Sequence, residues 1–284
     1  MSIPQEHIDK LATLLGSRKI DHIKQGIQLL EVLPVDAEDF CKLMRAVDGY
    51  VTLEMDDVPY IDINTMYRYF GANMSSQSDK QIVGHTISLW ALSTFVKLVP
   101  ELAEQITHLK LEHQDFNLLN IDLSGFTSVR QLTWTQHELS MLPEELAALT
   151  ALRDINLTGN QLTELPEWFE SYNRLEVLTL TRNQLQRLPQ CISSFQHLTT
   201  LDVQSNRLTT LPSLVSLTKL KSIDLAHNRL TSLKDELGTN VQHIALSGNQ
   251  LVSLPSICQT RQITSFKCLN NAFTEIPPEL INNP

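Results

Sequence analysis

One phrase recurs along the last two thirds of the chain, and it constrains the fold more than any other feature. Residues 152 to 166 read LRDINLTGNQLTELP, and nearly the same letters return as LEVLTLTRNQLQRLP from residue 175 and LTTLDVQSNRLTTLP from residue 198. A period of 21 to 23 residues predicts stacked supersecondary units, because no single unit of that length can bury its own apolar side. The eight predicted units begin at Ile106, Val129, Leu152, Leu175, Leu198, Leu220, Val241 and Ile263.

Each unit repeats the same order of apolar and polar residues. Apolar residues occupy positions 1, 4, 6, 11 and 14 of the unit, and Pro usually occupies position 15. The alternation around positions 4 to 6 is typical of a short strand, so Leu178 and Leu180 are predicted to face inward while Thr179 faces outward. We therefore expect the strands of successive coils to stack as a parallel sheet about 4.8 Å apart over one continuous core.

Position 9 is predicted to be a structural asparagine. The chain has to leave each strand by a turn, and buried backbone N–H and C=O groups there cannot reach water. An asparagine side chain has two donors and an acceptor, so it can bond such groups in its own coil and in the next one. The predicted asparagine ladder consists of Asn160, Asn183, Asn206, Asn228, Asn249 and Asn271.

The pattern L-x-x-L-x-L-x-x-N-x-L-x-x-L-P resembles the leucine-rich repeat family over residues 106 to 284. Pro at position 15 followed by an apolar triplet, as in LPEELAAL from residue 142, is similar to the subtype of bacterial and Ras-linked intracellular scaffolds. The resemblance implies an α/β solenoid: a right-handed horseshoe whose parallel sheet lines the concave side. It also implies that this concave face binds another protein.

Residues 1 to 105 contain no such unit and are predicted to form a helical N-terminal cap domain. Apolar residues at helical spacing indicate helices over 4–16, 21–33 and 36–47, followed by a long irregular connection over 49–81. The apolar stretch 82–99 is predicted to be a buried helix rather than a membrane span, because it is short and contains His85 and Lys97. Binding of a separate partner by this region is the alternative to capping.

Composition and charge narrow the class of protein. The chain has 284 residues with 42% hydrophobic residues, which is enough for a substantial core, and its net charge of −10 disfavours nucleic acid and anionic membranes as partners. The four cysteines lack C-x-x-C spacing, so neither a zinc site nor a disulfide framework is expected. The start MSIPQEHIDKL lacks the features of a signal peptide, so we expect a cytoplasmic protein.

Catalytic and cofactor sites are not indicated. Asp202 and Asp224 should be neighbours on adjacent strands, where they could share a proton or hold a metal with His227 and His243. The favoured interpretation is that Arg207 and Arg229 neutralise the two aspartates and that both histidines are ordinary solvated surface residues. Cys41 has no histidine placed to activate it, and phosphate-loop and zinc-protease motifs are missing from the sequence. No cofactor is expected.

The sequence therefore predicts a non-enzymatic protein-interaction module without nucleic-acid or membrane partners. The alternatives are a secreted effector or small-GTPase-pathway regulator and, in third place, an enzyme that uses the neighbourhood of Asp202 and Asp224. The predicted partner-binding residues are outward side chains of the sheet and of one of its edges: Thr133, Asn156, Thr179, Thr181, Arg182, Gln184, Asp202, Gln204, Arg207, Asp224 and Arg229.

Overall fold

The structure is a computed structural model of the chain. It describes residues 4–15, 25–26, 29, 80–84, 106–111, 122–136, 138–233, 237–255, 258 and 262–274. The chain forms two compact units, residues 1–129 and residues 130–284. The predicted domain boundary between residues 105 and 106 stays a prediction, since the strand of the first predicted coil lies in the first of these units.

The first unit contains the predicted N-terminal helix, α1 (Gln5–Leu15). Ile8 and Leu11 are each 2% exposed, whereas Glu6, Asp9 and Lys10 are exposed. This is the amphipathic helix that the spacing of apolar residues predicts. Gln25, Gly26 and Leu29 are helical within the second predicted helix, and the third, with Cys41, lies outside the described residues.

Two parallel strands follow in the first unit, β1 (Lys80–Gly84) and β2 (Ile106–Leu111), with Ile82 opposite Leu109. The predicted helix over 82–99 is wrong at its start, because residues 82 to 84 belong to β1. The β-branched pair of Ile82 and Val83 favours a strand, and Gly84 is a poor helix residue. The rest of that predicted helix lies outside the described residues.

The second unit is a solenoid of coils that each contribute one three-residue strand. Adjacent strands pair in parallel in sequence order throughout the described part of this unit. The strands are β3 (Gln131–Thr133), β4 (Asp154–Asn156), β5 (Val177–Thr179), β6 (Thr200–Asp202), β7 (Ser222–Asp224), β8 (His243–Ala245) and β9 (Ser265–Lys267). The predicted stacking of one strand per coil is confirmed.

The core of the second unit consists of the repeated leucine positions. In the coil that begins at residue 175, Leu175, Leu178, Leu180 and Leu185 are fully buried and Leu188 is 4% exposed. The same positions are buried in the two neighbouring coils, except for the half-buried Leu211, so the apolar side chains form one continuous core along the stacked coils. Burial of these side chains provides the main stabilisation of a coil that has only three strand residues.

The asparagine ladder is present at all six predicted residues. Asn183 Nδ2 donates to the carbonyl of Leu157 at 2.9 Å and to that of Leu180 at 3.0 Å, and its Oδ1 accepts from the Leu162 N–H at 3.1 Å. Leu157 and Leu162 belong to the preceding coil. The side chain was predicted to bond the following coil, and this is wrong, because it bonds the preceding one.

In three coils the described residues include a complete short 3₁₀ helix opposite the strand. These helices are η1 (Glu144–Ala148), η2 (Glu167–Ser171) and η3 (Gln190–Ser194). Each begins directly after the proline at position 15, which sets the backbone φ angle near −70° at Pro143, Pro166 and Pro189.

Aromatic residues stack between consecutive 3₁₀ helices. The ring of Phe169 meets that of Tyr172 edge-on at a centroid distance of 5.0 Å and lies 6.2 Å from Phe195. The Tyr172 hydroxyl donates to the Leu146 carbonyl at 2.7 Å, and burial raises the pKa of this phenol. The aromatic stack therefore joins coils on this side as the asparagine ladder does near the strands.

Position 8 has a left-handed backbone in every coil of the second unit, which the sequence pattern did not reveal. The φ angle is +74° at Gly159, +72° at Gly248, +55° at Arg182 and +57° at His227. This turn directs the position 8 N–H to the position 7 carbonyl of the following coil, as in Arg182 N to Gln204 O at 2.9 Å. Glycine adopts this conformation freely, whereas a side chain is strained there.

We expect Arg182→Gly to raise the free energy of unfolding by about 1 kcal/mol, because it relieves the left-handed strain at an exposed residue. The matched opposite change, Gly159→Ala, should destabilise the protein, since the added Cβ would lie 3.1 Å from Gln136 Cγ at a φ of +74°. Urea unfolding of both variants measures the two effects. Equal destabilisation by both changes would contradict the assigned turn.

Candidate functional site

The outward side chains of the second unit form one continuous and mainly polar surface, which we call the sheet face. It consists of positions 3, 5 and 7 of each coil. The position 5 row is in strand register, as Thr133 lies opposite Asn156, Asn156 opposite Thr179, and Asp202 opposite both Thr179 and Asp224. The row ends with Ala245 and Lys267.

The loops that follow the strands form a second surface, at one edge of the sheet face. Arg182 occupies position 8 of its coil, Arg187 occupies position 13, and Arg207 and Arg229 occupy position 10. All four are exposed, and we call them the arginine edge. Gln184, at position 10 beside Arg182, is half-buried.

Both aspartates at the centre of the sheet face have a structural role at the end of their strands. Asp202 Oδ1 accepts the Gln204 N–H at 3.0 Å, and Asp224 Oδ1 accepts the Ala226 N–H at 2.9 Å. Asn156 makes the same bond to the Thr158 N–H at 3.1 Å. Asp or Asn at position 5 therefore caps the strand and leaves its second side-chain oxygen or amide at the surface.

The predicted neutralisation of the aspartates by arginines is wrong. Among the described residues, neither Arg207 nor Arg229 forms an ion pair with Asp202 or Asp224; the ion pair found is Arg153 with Glu176 at 2.9 Å. The arginines and the aspartates are therefore two separate charged features of the same surface.

The environment of Asp224 raises the pKa of its carboxyl group. Burial is the largest cause, and the neighbouring charge of Asp202 adds to it, while the Ala226 N–H, Lys267 and His227 act in the opposite direction. The folded state consequently binds a proton more tightly than the unfolded state does. Stability gained from this group is present at low pH and is lost as the pH rises through the raised pKa.

We expect Asp224→Asn to raise the melting temperature at pH 7, because it removes a half-buried charge while the amide oxygen keeps the strand cap that Asn156 already shows. The gain should shrink as the pH falls below the raised pKa, where Asp224 is itself neutral. Thermal unfolding of parent and variant at several pH values measures the difference. A gain that does not change with pH would contradict the assignment to this carboxyl group.

The remaining candidate groups among the described residues do not converge on a reactive centre. No group of three or more His, Cys, Asp or Glu residues suited to a metal ion occurs in the described part of the chain. The ring of His227 lies over Gly248, and His243 Nδ1 is 3.3 Å from the Thr264 hydroxyl. Burial raises the pKa of the Cys191 and Cys268 thiols, which disfavours the reactive thiolate. No described helix is long and apolar enough to cross a membrane.

Ten of the eleven predicted binding residues lie on the sheet face or the arginine edge, and Gln184 lies beside Arg182 in the same loop. Their role in binding stays a prediction. Sequence reasoning missed the position 3 row, which includes the half-buried Thr200 and Ser222, and it missed Arg187 on the edge. Strand alternation could have found position 3, because residues two apart face the same side. Position 13 lies in the loop, where no simple period applies.

Stacked coils with one short parallel strand each, a leucine core and an asparagine ladder define a class of solenoid proteins. A family model described as "Leucine rich repeat" matches residues 150–208, and one described as "Leucine Rich repeats (2 copies)" matches residues 196–237. The chain is a leucine-rich repeat protein. A search of curated proteins found no match.

Several solved structures share this fold. The Leptospira interrogans LRR protein LIC12759 aligns with a TM-score of 0.58 and 23% identity over 76% of this chain and 60% of its own. The plant peptide hormone receptor RGFR1, in complex with RGF2, aligns with a TM-score of 0.55 and 22% identity, over 68% of this chain and 32% of the receptor chain. The functional domain of InlJ from Listeria monocytogenes aligns with a TM-score of 0.54 and 22% identity, over 81% of this chain and 46% of the InlJ chain. This chain thus spans less than two thirds of each of these chains.

Proposed function

We propose that the protein is a non-enzymatic interaction module that binds a protein partner on the sheet face and its arginine edge. The observation that carries the proposal is the in-register polar surface across the strands of the second unit. Its central side chains at positions 5 and 7 are small or short, so a partner segment can approach the backbone closely. The core behind this surface is fully buried, which keeps the surface rigid without help from a ligand.

Further support comes from the fold class and the chemistry of the aspartate pair. Leucine-rich repeat proteins generally act as interaction scaffolds, and one structure with this fold is a receptor in complex with a peptide hormone. Asp202 and Asp224 each use one oxygen to cap a strand, which suits a fixed recognition surface better than proton transfer. We therefore assign the aspartates to binding specificity and not to catalysis.

We expect Thr179→Arg combined with Asp202→Arg to weaken partner binding about tenfold or more, because the change places bulk and positive charge at the centre of the sheet face. The inward Leu178 and Leu201 are untouched and only the strand cap of Asp202 is lost, so the melting temperature should fall by no more than a few degrees. The ligand is a peptide selected on the full chain from a displayed random library, and its dissociation constant is measured by fluorescence anisotropy.

The matched control adds the same positive charge on the opposite side of the coils, at Asn173→Arg, Gln190→Arg and Gln196→Arg, which are all exposed. This control should bind the peptide as the parent does. Undiminished binding by the folded Thr179→Arg/Asp202→Arg variant, or equal loss in the control, would refute binding on the sheet face.

A further inference from the structure

The arginine edge is a concentrated positive surface on an acidic protein. The net charge of the chain is −10, yet the loops 182–187, 205–210, 227–232 and 248–253 contain four arginines and no Asp or Glu. These loops belong to consecutive coils. The other polar groups that the loops present include amides and hydroxyls, as in Gln186, Thr209 and Thr231, which can donate hydrogen bonds as well.

Among the described residues, no acidic side chain forms an ion pair with any of the four arginines, whereas Arg153 pairs with Glu176. Each of the four is exposed. Each guanidinium group therefore keeps its planar set of donors available, and that geometry matches a carboxylate in bidentate fashion.

Two of the arginines are stacked by the backbone of the solenoid. The Arg207 N–H donates to the Leu185 carbonyl at 2.9 Å, and the Arg229 N–H donates to the Leu208 carbonyl at 2.9 Å. The same bond in successive coils places the two residues at equivalent points about one strand spacing, roughly 4.8 Å, apart. Like charges at this spacing repel each other, and an anionic partner that lies along the stack relieves the repulsion.

The aspartate pair restricts where such a partner can lie. Asp202 and Asp224 are on the sheet face beside the edge, and they repel an acidic segment that crosses the strands. An acidic segment therefore fits along the loops and not across the sheet. Asp and Glu side chains each carry one negative charge, so a short acidic segment can pair with arginines that span only a few coils. A nucleic acid needs a longer basic surface, and the net negative charge of the chain would repel it.

We propose that the arginine edge binds an acidic segment, rich in Asp and Glu, of a protein partner. The inference rests on the proposed function and adds the chemistry of the partner and the place where it docks. The aspartates then act as selectors that exclude an acidic segment from the centre of the sheet face, and the arginines provide the attraction.

The test uses three fluorescent peptides of about 12 residues, in which Ser alternates with Glu, Gln or Lys, and fluorescence anisotropy on the full chain at about 50 mM salt. We expect the Glu peptide to bind and the Gln and Lys peptides to bind at least tenfold more weakly. Arg207→Gln combined with Arg229→Gln should weaken binding of the Glu peptide about tenfold or more. Arg130→Gln combined with Arg174→Gln removes the same charge from two exposed arginines off the edge and should change binding less than about twofold.

Absence of Glu-peptide binding to the parent would overturn the inference, as would equal weakening by the two arginine pairs, which would indicate a general charge effect. A single-stranded RNA of similar length that binds more tightly than the Glu peptide and depends on Arg207 and Arg229 would overturn it in favour of nucleic acid. If library peptides still bind the sheet face in any of these cases, the proposed function stands and only the acidic partner is refuted.

Discussion

Asn183→Ala is expected to lower the free energy of unfolding by about 3 kcal/mol. The side chain is 7% exposed and bonds the carbonyls of Leu157 and Leu180 and the N–H of Leu162. Alanine leaves these buried groups without partners, and each unsatisfied group costs about 1–3 kcal/mol. The large effect follows because one side chain connects two coils, and urea unfolding monitored by circular dichroism measures it.

The last asparagine of the ladder provides the matched control. Asn271 makes the equivalent three bonds, to the Leu246 and Cys268 carbonyls and from the Leu251 N–H, but it is only half-buried. Water can therefore replace its side chain, and Asn271→Ala should cost less than half as much as Asn183→Ala. Equal costs for the two changes, or a negligible cost at Asn183, would contradict the buried ladder.

Phe169→Ala is expected to cost about 4 kcal/mol, the other large effect. Phe169 is 1% exposed, and its ring contacts Tyr172 and Phe195, which belong to its own coil and to the next one. Truncation leaves a cavity between 3₁₀ helices that short proline-initiated segments cannot close. Urea unfolding again gives the loss of stability.

Phe169→Leu is the control for this site, because Leu146 occupies the equivalent position of the preceding coil. It should cost about 1 kcal/mol, since most of the apolar volume remains. If the leucine and alanine variants were equally destabilised, the loss would come from something other than the cavity.

The repeated leucines and asparagines allowed the solenoid to be predicted from the sequence. Every coil needs apolar side chains for its core and a side chain that bonds the buried backbone groups of its turn. The register followed directly: Thr179 and Asp202 face outward because Leu178 and Leu201 face the core. Position 8 escaped prediction because its requirement is a backbone angle, which residues as different as Gly159 and Arg182 meet.

The sequence predicted the position 5 row of the strands and three of the four edge arginines, but not how the loop side chains pair. Strand alternation identified the position 5 row, whereas the supposed pairing of Arg207 with Asp202 depended on loop direction, which sequence spacing does not contain. The helix expected from Ile82 failed for another reason. A run of apolar residues suits both a helix and a buried strand, and pairing with β2 decides between them.

Site-specific photo-cross-linking can show whether a partner peptide binds on the sheet face. In one variant a photoreactive residue replaces Thr200, at position 3 on the sheet face. In the other it replaces Gln196, which is exposed on the opposite side of the solenoid at the end of the preceding coil. With the library-selected peptide bound, we expect strong cross-linking from residue 200 and background levels from residue 196. Cross-linking from residue 196 without cross-linking from residue 200 would contradict binding on the sheet face.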